Sequence, residues 1–217
     1  MVSCDFLNIS DTVFSFTEEQ NKFLHKLSEL LMTNEVSIDT MTLCNDSVGF
    51  PQNYYKILFP GGTRKILESL EAFFDQLLID KINEDNSLDN IHGLINKTSY
   101  MITTRIQISK NALKTLNRLL LPPPLYSSLI LKNRYRTCDI IWHLNNDISL
   151  DHNYYTKRMI LFNVYNLAIT KYVSGKTTDD TMYEDVRKDI SCILNSVRSV
   201  KNTINNLTKL PIIRLFR

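Results

Sequence analysis

Breakers of regular structure are scarce in this chain, with five glycines and six prolines in 217 residues. Sheet-rich folds need turn residues at short intervals, so the scarcity points to long helices. The breakers that cluster, Pro60–Gly61–Gly62 and Pro122–Pro123–Pro124, read as helix stops, because proline lacks the amide a helix interior needs. Hydrophobic residues make up 43% of the chain, enough for one domain with a proper core or for a small domain beside a larger one.

Apolar spacing lays out the helices between these stops. Phe23, Leu27, Leu30 and Leu31 predict a helix over Glu18–Met32, with Thr17 as N-cap. Ser37 caps a short helix to Cys44, Asn45–Gly49 forms a turn, and Phe50–Phe59 reads as a third short helix. That is the outline of a helix-turn-helix unit. Leu67, Leu70, Phe73, Phe74, Leu77 and Leu78 then mark a longer amphipathic helix. The polar stretch Asn83–Asn96 reads as loop. Further helices are expected over Ser99–Leu121, Ser127–His143, Asp151–Val173 and Met182–Asn205, with Ser174–Asp180 as a linker. The expected fold is all-α. A three-helix unit occupies 1–60, a helical bundle 61–205, and a basic apolar tail 206–217.

Net charge is +2, but its distribution says more. Residues 1–50 carry eight acids, Asp5 and Asp11 among them, against Lys22 and Lys26. Residues 187–217 carry seven bases against Asp189. A basic end can meet an anionic surface, and the tail Thr208–Arg217 alternates apolar and basic residues as an interfacial segment does. Cys4, Cys44, Cys138 and Cys192 have no paired spacing and read as free thiols. The four histidines form no metal-ligand pattern, so no metal site is expected. The N-terminus has neither signal nor transit character, and no apolar run reaches membrane-span length.

Catalytic signals are weak. His143, Asp147 and Ser149 lie near one another at a spacing that turn chemistry explains equally well. No glycine-rich phosphate loop follows a strand. The helix-turn-helix outline suggests DNA, yet Glu35, Asp39, Asp46 and Lys56 are the charges between Glu35 and Phe59. A net negative recognition segment gains almost nothing from counterion release.

The segment Asp151–Val173 is apolar over most of its circumference, as in a central bundle helix. One stripe holds Tyr154, Leu161, Tyr165, Ala168 and Tyr172, and a second holds Tyr155, Met159, Phe162, Ile169 and Val173. Part of such a surface can line an apolar ligand pocket between helices. Tyr154 and Tyr155 lie about 100° apart, so at most one faces the core. They read as a half-buried pair or as an exposed aromatic patch for a partner, with Lys157–Arg158 at its rim.

Three motifs carry a resemblance over about Asn21–Lys201. They are "ILFPGGTRKILE", "LLLPPPLYSSLILKNRYRTCDIIWHL" and "NNDISLDHNYYTKRMILFNVYN". The chain resembles the lipid-binding accessory family of ubiquinone biosynthesis, the ninth factor of the Q-synthesis complex. In that family a Trp precedes a Gly-Asp turn, Ser-x-Asp-x-Asn, an aromatic pair and Thr-Lys/Arg-Arg. Trp142, Asp147, Ser149, Asp151, Asn153, Tyr155, Thr156, Lys157 and Arg158 fit that order. Asn146 replaces the usual Gly and Tyr154 the usual Trp; Asn also tolerates a left-handed turn.

The resemblance implies a non-enzymatic protein with a fold similar to TetR-type regulators, homodimeric and without nucleic-acid binding. A TetR-type DNA-binding regulator is the alternative. No cofactor is implied; the ligand would be an isoprenoid quinone intermediate or a phospholipid. Met159, Leu161, Phe162, Tyr165, Ile169, Leu116 and Leu120 are the candidate lining of its cavity. The implied partner is the di-iron hydroxylase of the pathway, docked on Ile141, Tyr154 and Tyr155 with Asp139 and Arg158 beside them. Peripheral membrane contact is implied too, on the inner face of a bacterial membrane or the matrix side of the mitochondrial inner membrane.

Overall fold

The computed structural model describes residues 14–85, 87–121, 125–145 and 153–207. Among these residues every regular element is a helix, in agreement with the all-α expectation. In chain order they are α1 (Glu18–Leu30), α2 (Ile38–Ser47), α3 (Tyr55–Leu58), α4 (Gly62–Asp85), α5 (Ser87–Asn90), α6 (Leu94–Arg118), α7 (Ser127–Leu144), α8 (Asn153–Val173) and α9 (Met182–Leu207). The thiol Cys4, the acids Asp5 and Asp11, the turn residues Asn146, Asp147, Ser149 and Asp151, and the tail beyond Leu207 lie outside the described residues.

Helix α1 begins as its sequence predicts. Thr17 Oγ1 accepts from the Gln20 amide at 3.2 Å, and Gln20 Oε1 accepts from the Thr17 amide at 3.1 Å, a reciprocal capping box. The same Gln20 donates through Nε2 to the Leu58 carbonyl at 2.9 Å, tying α1 to the end of α3. Ser37 caps α2 through the Thr40 amide.

The third helix is shorter than expected, one turn instead of Phe50–Phe59. Buried Asn45 is the cause. Its Nδ2 donates to the Phe50 and Pro51 carbonyls, and its Oδ1 accepts from the Tyr55 amide at 3.0 Å. Those bonds satisfy the backbone in a non-helical path, and Asn53 sits at φ 61°, in the left-handed region that Asn tolerates.

The expected loop Asn83–Asn96 is largely helical. Helix α4 continues to Asp85, and α6 starts at Leu94 rather than Ser99. Ile82 is buried and Ile95 packs against the same core, so burial overrides the polar local composition. Gly93, at φ 89°, provides the left-handed residue that turns the chain into α6. Helix α9 runs two residues beyond the expected Asn205.

Two apolar clusters form the core. The first joins Phe23, Leu27 and Leu31 of the α1 region, Met41, Tyr55 and Phe59, Leu67–Phe74 of α4, Ala112 and Leu116 of α6, and Leu129 and Ile130 of α7. It crosses residue 60, so the N-terminal helices share a core with the start of the bundle. The second joins Leu78 and Ile82, Met101–Ile106, Cys138 and Ile141, the inner stripe of α8, and Met182, Val186 and Ile190 of α9. Helices α4, α6 and α7 run through both.

Candidate functional site

Between the two apolar clusters lies a polar layer. Glu71 and Asp75 of α4 face Arg105 of α6, whose side chain is 1% exposed. Arg105 donates from Nε to Asp75 Oδ1 at 2.8 Å and from Nη2 to Glu71 Oε2 at 2.6 Å. From α7, Thr137 Oγ1 donates to Asp75 Oδ1 at 2.8 Å, and Arg136 Nε to Asp75 Oδ2 at 3.0 Å. Arg134 reaches Asn166 of α8 at 2.7 Å and Asn117 of α6 at 3.0 Å.

Burial penalises the Arg105 charge, but Tyr165, Asp75 and Glu71 around it raise its affinity for the proton overall. Arg134 is shifted down, mainly by burial. Burial also pushes the Tyr165 hydroxyl and the Cys138 thiol up, so both hold their protons. Cys138 and Tyr165 beside the layer therefore stay as thiol and phenol.

Helices α7 and α8 form an antiparallel pair on one side of this layer. Arg158 Nε donates to Asp139 Oδ1, the Tyr135 and Phe162 rings lie 6.2 Å apart, and Lys157 sits 5.8 Å from the centre of the Trp142 ring. The α8 burial stripe is single: Leu161, Val164, Tyr165, Ala168 and Ile169 face inward, while Met159 and Leu167 are exposed. Within this chain α8 is covered on one side, and its open strip mixes Met159 and Leu167 with Thr156, Asn163 and Thr170.

The candidate cavity residues do not gather around one space. Leu161, Tyr165 and Ile169 are close-packed in the second cluster, and Phe162 packs against its edge. Leu116 belongs to the first cluster and Leu120 packs against it. Met159 is on the surface. Helical spacing showed that these side chains are apolar but not which core each would join.

Of the partner-facing candidates, Ile141 is fully buried and Arg158 is 1% exposed. In this chain they face the core, because Ile141 fills the second cluster and Arg158 is held on Asp139. Asp139 is partly exposed, and His143 Nε2 approaches its other oxygen at 3.5 Å. Tyr154 and Tyr155 occupy the first turn of α8, but their side chains lie outside the described residues.

A cavity of about 810 Å3 opens elsewhere, between α1 and α4. Phe14, Phe16, Val48, Phe73 and Leu77 form its apolar surface, and Lys22, Lys26, Glu29 and Asp80 its rim. Sequence reasoning missed this groove and the polar layer alike. The layer's ion pairs are separated by 30 or more positions, as in Asp75–Arg105, and no local pattern announces them. Three acids or bases inside otherwise apolar helical faces, Glu71, Asp75 and Arg105, were the available signal.

No described helix is long and apolar enough to cross a membrane. Among the described residues no cluster of three or more His, Cys, Asp or Glu side chains could hold a metal ion. No curated protein matches the chain in a sequence comparison. The COQ9 family model matches residues 127–195, from the start of α7 to the middle of α9. That span includes the Trp142 segment, the Asp139–Arg158 pair and the inner stripe of α8. Over residues 127–195, about a third of its length, the chain is similar to the COQ9 family, an accessory family of ubiquinone biosynthesis, and the likeness points to a role in that pathway.

Proposed function

We propose that the chain is a non-enzymatic lipid-binding protein of ubiquinone biosynthesis. It takes up an isoprenoid quinone intermediate or a phospholipid and presents it to the di-iron hydroxylase of the pathway. The observation that carries this reading is the COQ9 match over α7 and α8. An isoprenoid chain drawn from a bilayer must be sheltered, since exposing each CH2 costs about 0.8 kcal/mol. The chemistry would belong to the partner's metal, and this chain would supply binding and orientation.

The first turn of α8, with Tyr154 and Tyr155, is the proposed hydroxylase contact, and Asp139 lies beside it on α7. The outward strip of α8, where Met159 and Leu167 alternate with Thr156, Asn163 and Thr170, is the surface offered to a second copy in a homodimer.

Mass spectrometry of organic extracts of the chain purified from its own cell tests the lipid claim. Co-purified quinone or phospholipid is expected, and repeatedly empty preparations refute it. Changing Tyr154 and Tyr155 together to Ala should weaken hydroxylase capture while the thermal midpoint stays nearly unchanged. A large loss of stability would instead assign both tyrosines to the core.

The α1–α3 arrangement favours one second reading, a TetR-type regulator. Its recognition position is the single turn Tyr55–Leu58, with Lys56 as its one base. A salt-sensitive shift of duplex DNA at low ionic strength would support it, and no shift would end it.

A further inference from the structure

We propose that the polar layer between α4, α6 and α7 binds a small monovalent anion of the chloride class. This goes beyond the lipid reading and does not depend on it.

The layer is not balanced in charge. It holds three cations, Arg105, Arg134 and Arg136, and two carboxylates, Glu71 and Asp75. Both carboxylates are engaged, Glu71 by Arg105, and Asp75 by Arg105, Arg136 and Thr137. Arg134 is the cation left over. It is buried, and its acceptors at 2.7 Å and 3.0 Å are the neutral amide oxygens of Asn166 and Asn117. Tyr165 and Cys138 do not supply the missing negative charge, because burial keeps both protonated. An uncompensated charge is among the most costly things a fold can bury.

The hydrogen bonds point the same way. Arg105 Nη1, Arg136 Nη2 and Asn133 Nδ2 are buried donors with no acceptor among the described residues. Arg105 and Asn133 are almost wholly buried side chains. The three belong to one connected set. Arg105 and Arg136 hold the two oxygens of Asp75, and Arg136 Nη1 donates to Asn133 Oδ1 at 3.3 Å. Aromatic rings cover both guanidiniums, Phe74 at 5.2 Å from Arg105 and Phe14 at 5.1 Å from Arg136, and such low-dielectric walls strengthen attraction to an anion.

The class of ligand follows from these groups. All three unpaired atoms are donors, and two of them carry positive charge. Water would complete the bonds and leave the charge, whereas an anion completes both. A metal cation would add to the positive excess. The excess is a single charge, so a monovalent ion neutralises it, and sulfate or a phosphate ester would leave the layer negative. Arg136, partly exposed at the layer's edge, is the point of entry.

Melting the full chain in sodium gluconate, then in mixtures with sodium chloride at fixed ionic strength, tests the site. Chloride should raise the thermal midpoint saturably, by roughly 5–10 °C once it exceeds its Kd about a hundredfold. Asn133→Asp removes one unpaired donor, keeps the acceptor for Arg136 and places a fixed carboxylate in the layer. That variant should melt in gluconate close to where the unaltered chain melts in chloride, and should bind chloride at least about tenfold more weakly. If it does not fold, Arg136→Gln removes the excess cation at the layer's edge and should abolish the chloride response. Crystals soaked in sodium bromide should give an anomalous peak beside Arg136 and Asn133. A midpoint indifferent to chloride, or a response unchanged in the folded variant, overturns the proposal and assigns the donors to water. Bromide at the protein surface alone, an adventitious ion only, overturns it equally. None of these outcomes bears on lipid content, so the lipid reading stands or falls by its own test.

Discussion

Removing the Asp75 carboxylate should be among the most damaging single changes available in this chain. Asp75 is 0% exposed and accepts from Arg105 at 2.8 Å, Arg136 at 3.0 Å and Thr137 at 2.8 Å. Among the described residues, Asp75→Ala leaves Arg105 with Glu71 as its carboxylate and leaves the Arg136 guanidinium hydrogen-bonded to Asn133. Breaking a buried ion pair by deleting one partner costs about 3–5 kcal/mol, because the remaining charge stays out of water. For a chain of this length, about 2–4 °C is lost per kcal/mol, so the midpoint should fall by roughly 6–20 °C. Asp75→Asn keeps the volume but turns an amide donor toward a guanidinium donor, and should cost nearly as much. Urea unfolding followed by far-UV circular dichroism measures both, with m-values checking that unfolding stays two-state. The exposed pair Lys22–Glu18 is the control, and Glu18→Gln should leave the urea midpoint unmoved. A loss below about 1 kcal/mol in Asp75→Ala, within the range of ordinary substitutions, would refute the reasoning. It would mean that water reaches the layer and replaces the carboxylate.

Two further predictions concern other parts of the core. Asn45→Ala removes the acceptor of the Tyr55 amide and the donor to the Phe50 and Pro51 carbonyls, so it should cost about 1–3 kcal/mol in urea unfolding. Amide exchange at Tyr55 should quicken in the same variant, and an unchanged rate would place that amide on another acceptor. Alkaline pH should destabilise the chain. Burial pushes the Cys44 thiol from 9.0 up to about 12, and the Tyr165 hydroxyl upward from 10.0. The folded state then holds protons that the unfolded state releases, so stability is complete below about pH 9 and is lost as pH rises toward the folded value. Thermal midpoints between about pH 7 and pH 11 should fall at the upper end, and less steeply in Cys44→Ala. Equal slopes in both proteins would remove Cys44 from the account.

Much of the fold was legible because its causes are local. Thr17 with Gln20, Ser37 with Thr40, and the breakers at 60–62 act within a few residues, and apolar spacing marked the long helices. The misses share one physical character. Helix α3 was cut to a turn by Asn45, several residues away in sequence and placed by tertiary folding. The polar stretch after Asn83 is helical because Ile82 and Ile95 are buried by distant helices. At the candidate site, the apolar character of Leu161, Tyr165 and Ile169 was legible, whereas their close packing was not. Met159, two positions before Leu161, faces outward because α8 has neighbours on one side only. Ile141 and Arg158 were candidate partner contacts from the resemblance, and their burial within this chain was not legible from spacing. The groove beside α1 was beyond reach, because its walls come from Phe16, Val48 and Phe73, which no periodicity connects.

The Glu71–Asp75–Arg105–Arg136 layer has a consequence for alignment as well as for strength. Apolar helical faces are forgiving, and a helix can slide by a turn, about 5.4 Å, and still find oily neighbours. Helix α4 cannot do so here. A slide of one turn would carry Asp75 into the zone of Leu78 and Cys138 and leave Arg105 facing aliphatic carbon. The two clusters alone would accept several alignments of α4, α6 and α7, and the charges between them penalise every alignment but one. Whatever the outer face of α8 meets, it is therefore presented at one height on the bundle, like a shelf pinned to a single notch.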